Sequence, residues 1–281
     1  SCPKDTLNLW TPDTSSWSAP YLRDTCMHLM NLLNGRPHLG LKDIESVALM
    51  DRYDSKFLVP EHWLSHTLAQ LPNHAVLSIA DSLSTTYRNL YFDSYDNVCV
   101  QQHVRGKTSR FKVRIRHYTN TEVTFLEVKL RDVYGKTAKH RVVRNVTTWD
   151  APLNDAEREF LHRHLGDIAL QLSPVLESRF ERFTLVDLKE GERLTFDLGV
   201  EFKTPGTDED WHAPLAHVSV VEWKQNSVNH QGSLIQALRS HPERRGPLGR
   251  PLRMCKYLLG RQTLQPDLDF KTYRPALRDM S

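Results

Sequence analysis

Polar and apolar residues alternate along one stretch after another of this chain. In residues 109–118, Phe111, Val113 and Ile115 fall on one face of an extended strand, and Lys112, Arg114 and Arg116 fall on the other. The same period of two predicts strands over 47–59, 74–81, 85–93, 121–132, 137–146, 175–187, 192–203 and 215–225. Helical spacing over 20–34, with Leu22, Met27, Leu29, Met30, Leu32 and Leu33 as apolar positions, predicts a helix that Gly35 and Pro37 stop. Pro60 opens a short helix over 60–71. Asn154 and Gly166 bracket another, and a further helix falls at about 229–240, before a loop rich in Pro, Gly and Arg.

The polar faces carry mixed charge. Arg52, Asp54 and Lys56 share one, as do Glu127, Lys129 and Arg131, and Lys139 with Arg141. Arg193, Thr195, Asp197 and Glu201 oppose Leu194, Phe196, Leu198, Val200 and Phe202, and Glu222 lines up with Lys224. One arrangement that fits is a sandwich or barrel with its charge in water. The other is a closed barrel whose apolar outside is covered by helices, so that its lumen is polar. Many consecutive strands, few long helices and short links predict an antiparallel α+β fold of this general kind.

Composition narrows the choice of ligand. The 281 residues are 39% hydrophobic and 25% charged, with a net charge of only +3, so clustering of charge matters more than its total. A lumen with Lys and Arg from most strands and a few carboxylates suits a polyanion accompanied by a divalent cation. Guanidinium forks and ammonium groups match phosphate oxygens, and carboxylates ligate Mg²⁺ or Mn²⁺. Those carboxylates would repel a nucleic-acid backbone, which weighs against nucleic acid as a partner. The four cysteines form no CxxC pair, and no His stands at metal-ligand spacing from a Cys or a carboxylate. P-loop, GxGxxG, HExxH and G-x-S-x-G signatures are absent, as is any run of roughly 18 apolar residues.

Seven short motifs occur in order: RYDSKF (52–57), YFD (91–93), KVRIR (112–116), FLEVK (125–129), ERLTFD (192–197), VVEWK (220–224) and CKY (255–257). From about residue 40 to 260 the chain resembles the VTC domain, the polyphosphate polymerase domain of the triphosphate tunnel metalloenzymes. That resemblance implies a closed eight-stranded antiparallel tunnel with a basic lumen and helices outside. It assigns the catalytic phosphate grip to Lys56, Arg114, Arg116, Lys129, Arg182, Arg193 and Lys256. Substrate contacts fall to Lys139, Arg141, Lys224 and Arg52, and the metal, Mn²⁺ or Mg²⁺, to Glu222. Arg179 competes with Arg182, with a surface ion pair as the plain alternative at that position. RYDSK stands where the superfamily has ExExK, and Cys255 stands where a Ser is common.

The activity implied is transfer of the ATP γ-phosphoryl group to a growing inorganic polyphosphate chain. Its partners would be ATP, triphosphate and polyphosphate. A triphosphatase of the same fold, or a polyphosphate or inositol-phosphate binding module, are the alternatives. The expected division is an N-terminal arm and helix at 1–40, a tunnel domain at 41–260 and a tail at 261–281. The expected location is cytoplasmic, with any membrane association made through other parts or partners.

Overall fold

The structure, a computed structural model, describes residues 21–45, 53–226, 229, 231–244 and 248–268. In chain order its elements are α1 (Tyr21–Asn34), β1 (His38–Leu39), β2 (Tyr53–Pro60), α2 (Leu64–Ala69), β3 (Ala75–Leu77), β4 (Ser84–Ser94) and α3 (Val98–Val104). They continue with β5 (Arg110–Tyr118), β6 (Val123–Arg131), β7 (Thr137–Val143), α4 (Asp155–Leu165), β8 (Leu172–Asp187), β9 (Glu192–Lys203), β10 (Val218–Gln225), α5 (Ser233–Ser240) and α6 (Lys256–Leu264). The hydrogen-bonded order is β2-β10-β9-β8-β4-β5-β6-β7, with β3 beside β8 and β1 beside β3. The fold is therefore α+β and mostly antiparallel. Among the described residues, hydrogen bonds do not join β2 to β7, so the ladder is not closed by them as the expected barrel would be.

The chain divides into two compact units. The described residues of the first fall within Ser1–Thr85, Glu181–Leu198 and His217–Pro251. Its core lies on one side of β2, β10 and β9, where Phe57, Val59, Val221, Trp223, Leu194, Phe196 and Leu198 are buried. Cys26, Leu29, Met30 and Leu33 of α1, Leu64 and Leu68 of α2, and Leu234, Ile235 and Leu238 of α5 complete it. Burying that apolar stripe is what fixes each helix on the sheet. The expected N-terminal helix is thus part of this core. Arg36, just past its end, donates to the Leu68 and Leu71 carbonyls (2.6 Å each) and to that of His74 (3.0 Å), satisfying acceptors at the end of α2.

The second unit's described residues fall within Thr86–Phe180, Gly199–Ala216 and Leu252–Ser281. Phe111, Val113 and Ile115 of β5 and Leu126 and Val128 of β6 are buried, as the alternation requires. At α4, the Asn154 side chain accepts from the Glu157 amide while Glu157 accepts from the Asn154 amide, and Gly166 ends the helix at φ 67°. Glu157 also takes the Arg144 guanidinium at 2.6 Å, a buried pair that ties the chain after β7 to α4.

Several boundaries differ from expectation. The 74–81 strand shrinks to Ala75–Leu77, because Ala80 and Asp81 take φ of 50° and 59° in a tight turn that pairs Ile79 with Ser82. His217 at φ 61° delays β10 to Val218. Two helices, α3 and α6, occur where none is predicted.

Candidate functional site

In the first unit, register builds the basic face. Glu222 lies directly between Lys56 of β2 and Thr195 of β9, and Lys224 directly between Asp54 and Arg193. Side chains directly opposite in a ladder share a face, so these residues stand together on the side away from the helix-covered core. The Glu222 carboxylate receives Lys56 Nζ at 3.2 Å and Lys224 Nζ at 3.3 Å, and Lys224 also reaches Asp54 at 3.1 Å. Glu222 keeps 18% of its side chain accessible, so it is reachable from solvent. One step along β9, buried Asp197 holds Arg182 through two bonds, Nε at 2.5 Å and Nη2 at 2.8 Å. Asp197 is accordingly the seat of a guanidinium fork.

The second unit carries another basic face, across β4, β5, β6 and β7. Lys112, Lys129 and Lys139 stand in one row across β5, β6 and β7. In the next row Tyr91, Arg114, Glu127 and Arg141 lie side by side. Like charges directly opposite destabilise a sheet, so an anion among them is a compensating feature. Glu127 supplies one: it is 2% exposed and contacts Arg114 Nη2 at 2.6 Å and Lys139 Nζ at 2.5 Å. Burial pushes its carboxyl up, but Arg114, Arg116 and Lys139 outweigh that and bring it down to about 2. Burial works against the Arg114 charge as well, and Glu127 and Tyr91 overcome it. For Lys139 burial wins, bringing its ammonium down to about 8 despite Glu127 beside it. Arg114 and Arg116 add to that lowering.

The sequence-predicted residues divide between the units. Lys56, Arg182, Arg193, Glu222 and Lys224 are in the first, and Arg114, Arg116, Lys129, Lys139, Arg141 and Lys256 in the second. Arg52 lies outside the described residues. Arg116 donates to Asn89 Oδ1 at 2.9 Å and sits over the Tyr87 ring. Arg141 lies 4.5 Å over the Phe125 ring, and Lys256, the first residue of α6, 4.9 Å over that of Phe180. Arg179 makes a buried pair with Glu201 at 2.5 Å and stacks over Trp211, where a surface pair was the alternative.

Cys255 is the neighbour that spacing did not single out as a charge partner. Its Sγ takes Lys112 Nζ at 2.8 Å. Burial raises its pKa, but Lys112 and two amides of α6 prevail and bring the thiol below its ordinary value. Cys255 thus presents to Lys112 a thiol more acidic than an ordinary one. Sequence reasoning missed one cluster altogether, that of His74 with Asp187 and Glu192.

Glu222 suits a hard divalent cation. Mg²⁺ and Mn²⁺ take carboxylate oxygens, and Mg²⁺ is commonly held by one or two carboxylates plus substrate phosphates. Glu222 offers one such accessible carboxylate on a strand face, its charge shared with Lys56 and Lys224.

The VTC domain family profile matches residues 51–264. Among curated proteins none matches the chain. Similar solved structures include a protein of Bacillus halodurans described as an adenylate cyclase (15% identity, 66% of this chain and 87% of that one, TM-score 0.41). Another is the PH1819 protein of Pyrococcus horikoshii (13%, 75% and 98%, TM-score 0.41). A third, from Hippeastrum, is described as an adenylyl cyclase with a dominant triphosphatase activity (12%, 63% and 79%, TM-score 0.36). Likenesses this distant say nothing of the activity of this chain.

Proposed function

The chain belongs to the VTC domain family, and from that premise we propose that it is a metal-dependent polyphosphate polymerase. The substrate is ATP and the acceptor is the end of an inorganic polyphosphate chain. A terminal phosphate oxygen of the acceptor attacks the γ-phosphorus, the bond to the β–γ bridging oxygen breaks, and ADP leaves. Phosphoryl transfer of this kind needs positioning and neutralisation of charge more than a covalent nucleophile.

The observation that carries this reading is the row Lys56–Glu222, continued by Lys224, on the face turned away from the core. It puts a carboxylate fit for a cation among ammonium groups fit for phosphate. Lys56, Arg114, Arg116, Lys129, Arg182, Arg193 and Lys256 grip phosphate oxygens. Lys139, Arg141, Lys224 and Arg52 extend the contact along the chain. Glu222 would hold Mn²⁺ or Mg²⁺, which would supply positive charge to the transferring phosphoryl group. The closed eight-stranded tunnel within 41–260 belongs to this proposal, as does a cytoplasmic location. Among the described residues no helix is long and apolar enough to cross a membrane.

Incubation with ATP and Mn²⁺, followed by separation of the products on a polyphosphate gel, tests the proposal. Long-chain polymer supports it. Free phosphate without polymer identifies a triphosphatase instead, and triphosphate binding without turnover identifies a binding module.

A further inference from the structure

Apart from the basic face of the first unit, three of its chain segments converge on a second cluster. His74 directly precedes β3, Asp187 ends β8 and Glu192 begins β9. The β3–β8 register pairs Ala75 with Val186, so His74 is next in line to Asp187. The β8–β9 turn then brings Glu192 back beside both. All three residues are buried, and they offer one ligand atom each within 4.8 Å of one another. They line a pocket of about 270 Å³ together with Asn73, Glu190 and Ser233.

Two features of this cluster point to a positive partner. His74 Nε2 meets Glu192 Oε1 at 2.8 Å, and among the described residues neither of the two buried carboxylates meets a Lys or Arg. Buried charges are normally paired or coordinate metals, so two such carboxylates with one imidazole between them call for a cation. Asp187 uses Oδ1 to accept from the Lys189 and Glu190 amides, which leaves Oδ2 for another contact.

The surroundings are those of supported ligands. The Trp223 indole N–H donates to Glu192 Oε2 at 2.7 Å, and the Ser233 hydroxyl donates to Oε1 at 3.1 Å. Outer partners of this kind orient metal-binding side chains. An imidazole nitrogen with two carboxylates is a donor set for a first-row transition metal, zinc above all; Mg²⁺ and Ca²⁺ prefer oxygen throughout.

We propose that His74, Asp187 and Glu192 bind one zinc-class divalent ion that braces the β8–β9 turn against β3 and α5. This site is separate from Glu222, which points to the other face of β10. Trp223 links the two: it is the next residue after Glu222 in β10 and its indole holds Glu192. A metal here therefore steadies the strand that presents Glu222 without touching phosphate.

The experiment is a zinc titration of the chelator-treated full chain, read by calorimetry and by thermal unfolding. The expected result is about one zinc per chain and a rise in Tm, as selective binding to the native state requires. Asp187→Asn keeps the backbone contacts through its carbonyl oxygen, and His74→Gln removes the imidazole. Each should weaken zinc binding at least about tenfold, with far-UV circular dichroism showing the fold retained, while Glu222→Gln should bind zinc as the unaltered chain does. If His74→Gln fails to fold, Asp187→Asn decides. An unaltered chain that takes up no stoichiometric zinc, or an Asp187→Asn chain that binds it equally well, overturns the proposal.

Discussion

Glu222 stands directly opposite Lys56 in the β10–β2 ladder, and their charged groups meet at 3.2 Å. If the pair only neutralised the face, Glu222→Gln would leave turnover largely intact. If, as proposed, Glu222 holds the metal, its loss should reduce turnover by at least about a hundredfold, roughly 2.7 kcal/mol of barrier. Triphosphate binding should be retained or tightened, because a negative charge has gone. Measuring binding and rate on this one variant at saturating Mn²⁺ checks it. A near-normal rate would remove Glu222 from the reaction.

Arg114 and Glu127 are a cross-strand pair at 2.6 Å with Glu127 almost wholly buried. Arg114→Ala strips a buried carboxylate of one partner, while Lys139 remains. The expected cost is about 3 kcal/mol of stability, the lower end for a broken buried pair, together with loss of turnover. Glu127→Gln in the same chain removes the stranded charge, so the double variant should be less destabilised than the sum of the two singles. Denaturant unfolding of all three chains gives that coupling, and strictly additive costs would mean that the pair does not act as one.

The carboxyl of Glu127 lies at about 2 in the folded protein against an ordinary 4.5. A lowered carboxylate stabilises the fold above pH 4.5, and the gain is lost as pH falls from 4.5 toward 2, about 3 kcal/mol in all. Glu127→Gln should therefore flatten the acid limb of stability against pH. A limb unchanged in that variant would place the acid sensitivity elsewhere.

Lys139 behaves in the opposite sense. Its ammonium is at about 8 in the folded protein, brought down by burial from 10.5. Between those values the unfolded chain binds more protons than the folded one, so this group's effect on stability becomes less unfavourable as pH rises. Its proposed grip on phosphate, which needs the charge, weakens as pH rises through about 8. Triphosphate affinity should fall by up to about tenfold from pH 7 to 9. Lys139→Arg, which stays charged, should lose less; equal losses in both chains would acquit Lys139.

The strands were legible because alternation is written directly in residue type: residues 192–203 form a strand with the expected bounds, and the α4 cap is read from Asn154 and Gly166. Two helices were hidden for identifiable reasons. The N-cap residue of α3, Asn97, makes no side-chain cap. Asp93 of β4 caps it instead, accepting from the Cys99 and Val100 amides. α6 contains Gly260, which reads as a break, yet a Cβ there would meet Phe202 at 2.5 Å and Leu176 at 2.7 Å, so packing excludes anything larger. The basic faces were visible as stripes, but their counter-charges were not. Arg182–Asp197 and Arg114–Glu127 are 15 and 13 residues apart, and only register joins them. His74 and Glu192, 118 residues apart, leave no trace in spacing at all.

Triphosphate or polyphosphate should raise Tm far more than AMP at equal concentration. Stabilisation by a ligand follows its affinity for the native state, and several cations on one face favour several phosphates. Equal shifts from AMP and triphosphate would contradict a face built for a phosphate chain.

The central claim is transfer of phosphate to a polymer, and labelled ATP tests it most directly. With γ-labelled ATP and Mn²⁺, the label should enter acid-insoluble polymer while one ADP appears for each phosphate incorporated and little free phosphate forms. Label recovered only as free phosphate, with no polymer at any time, would contradict the account.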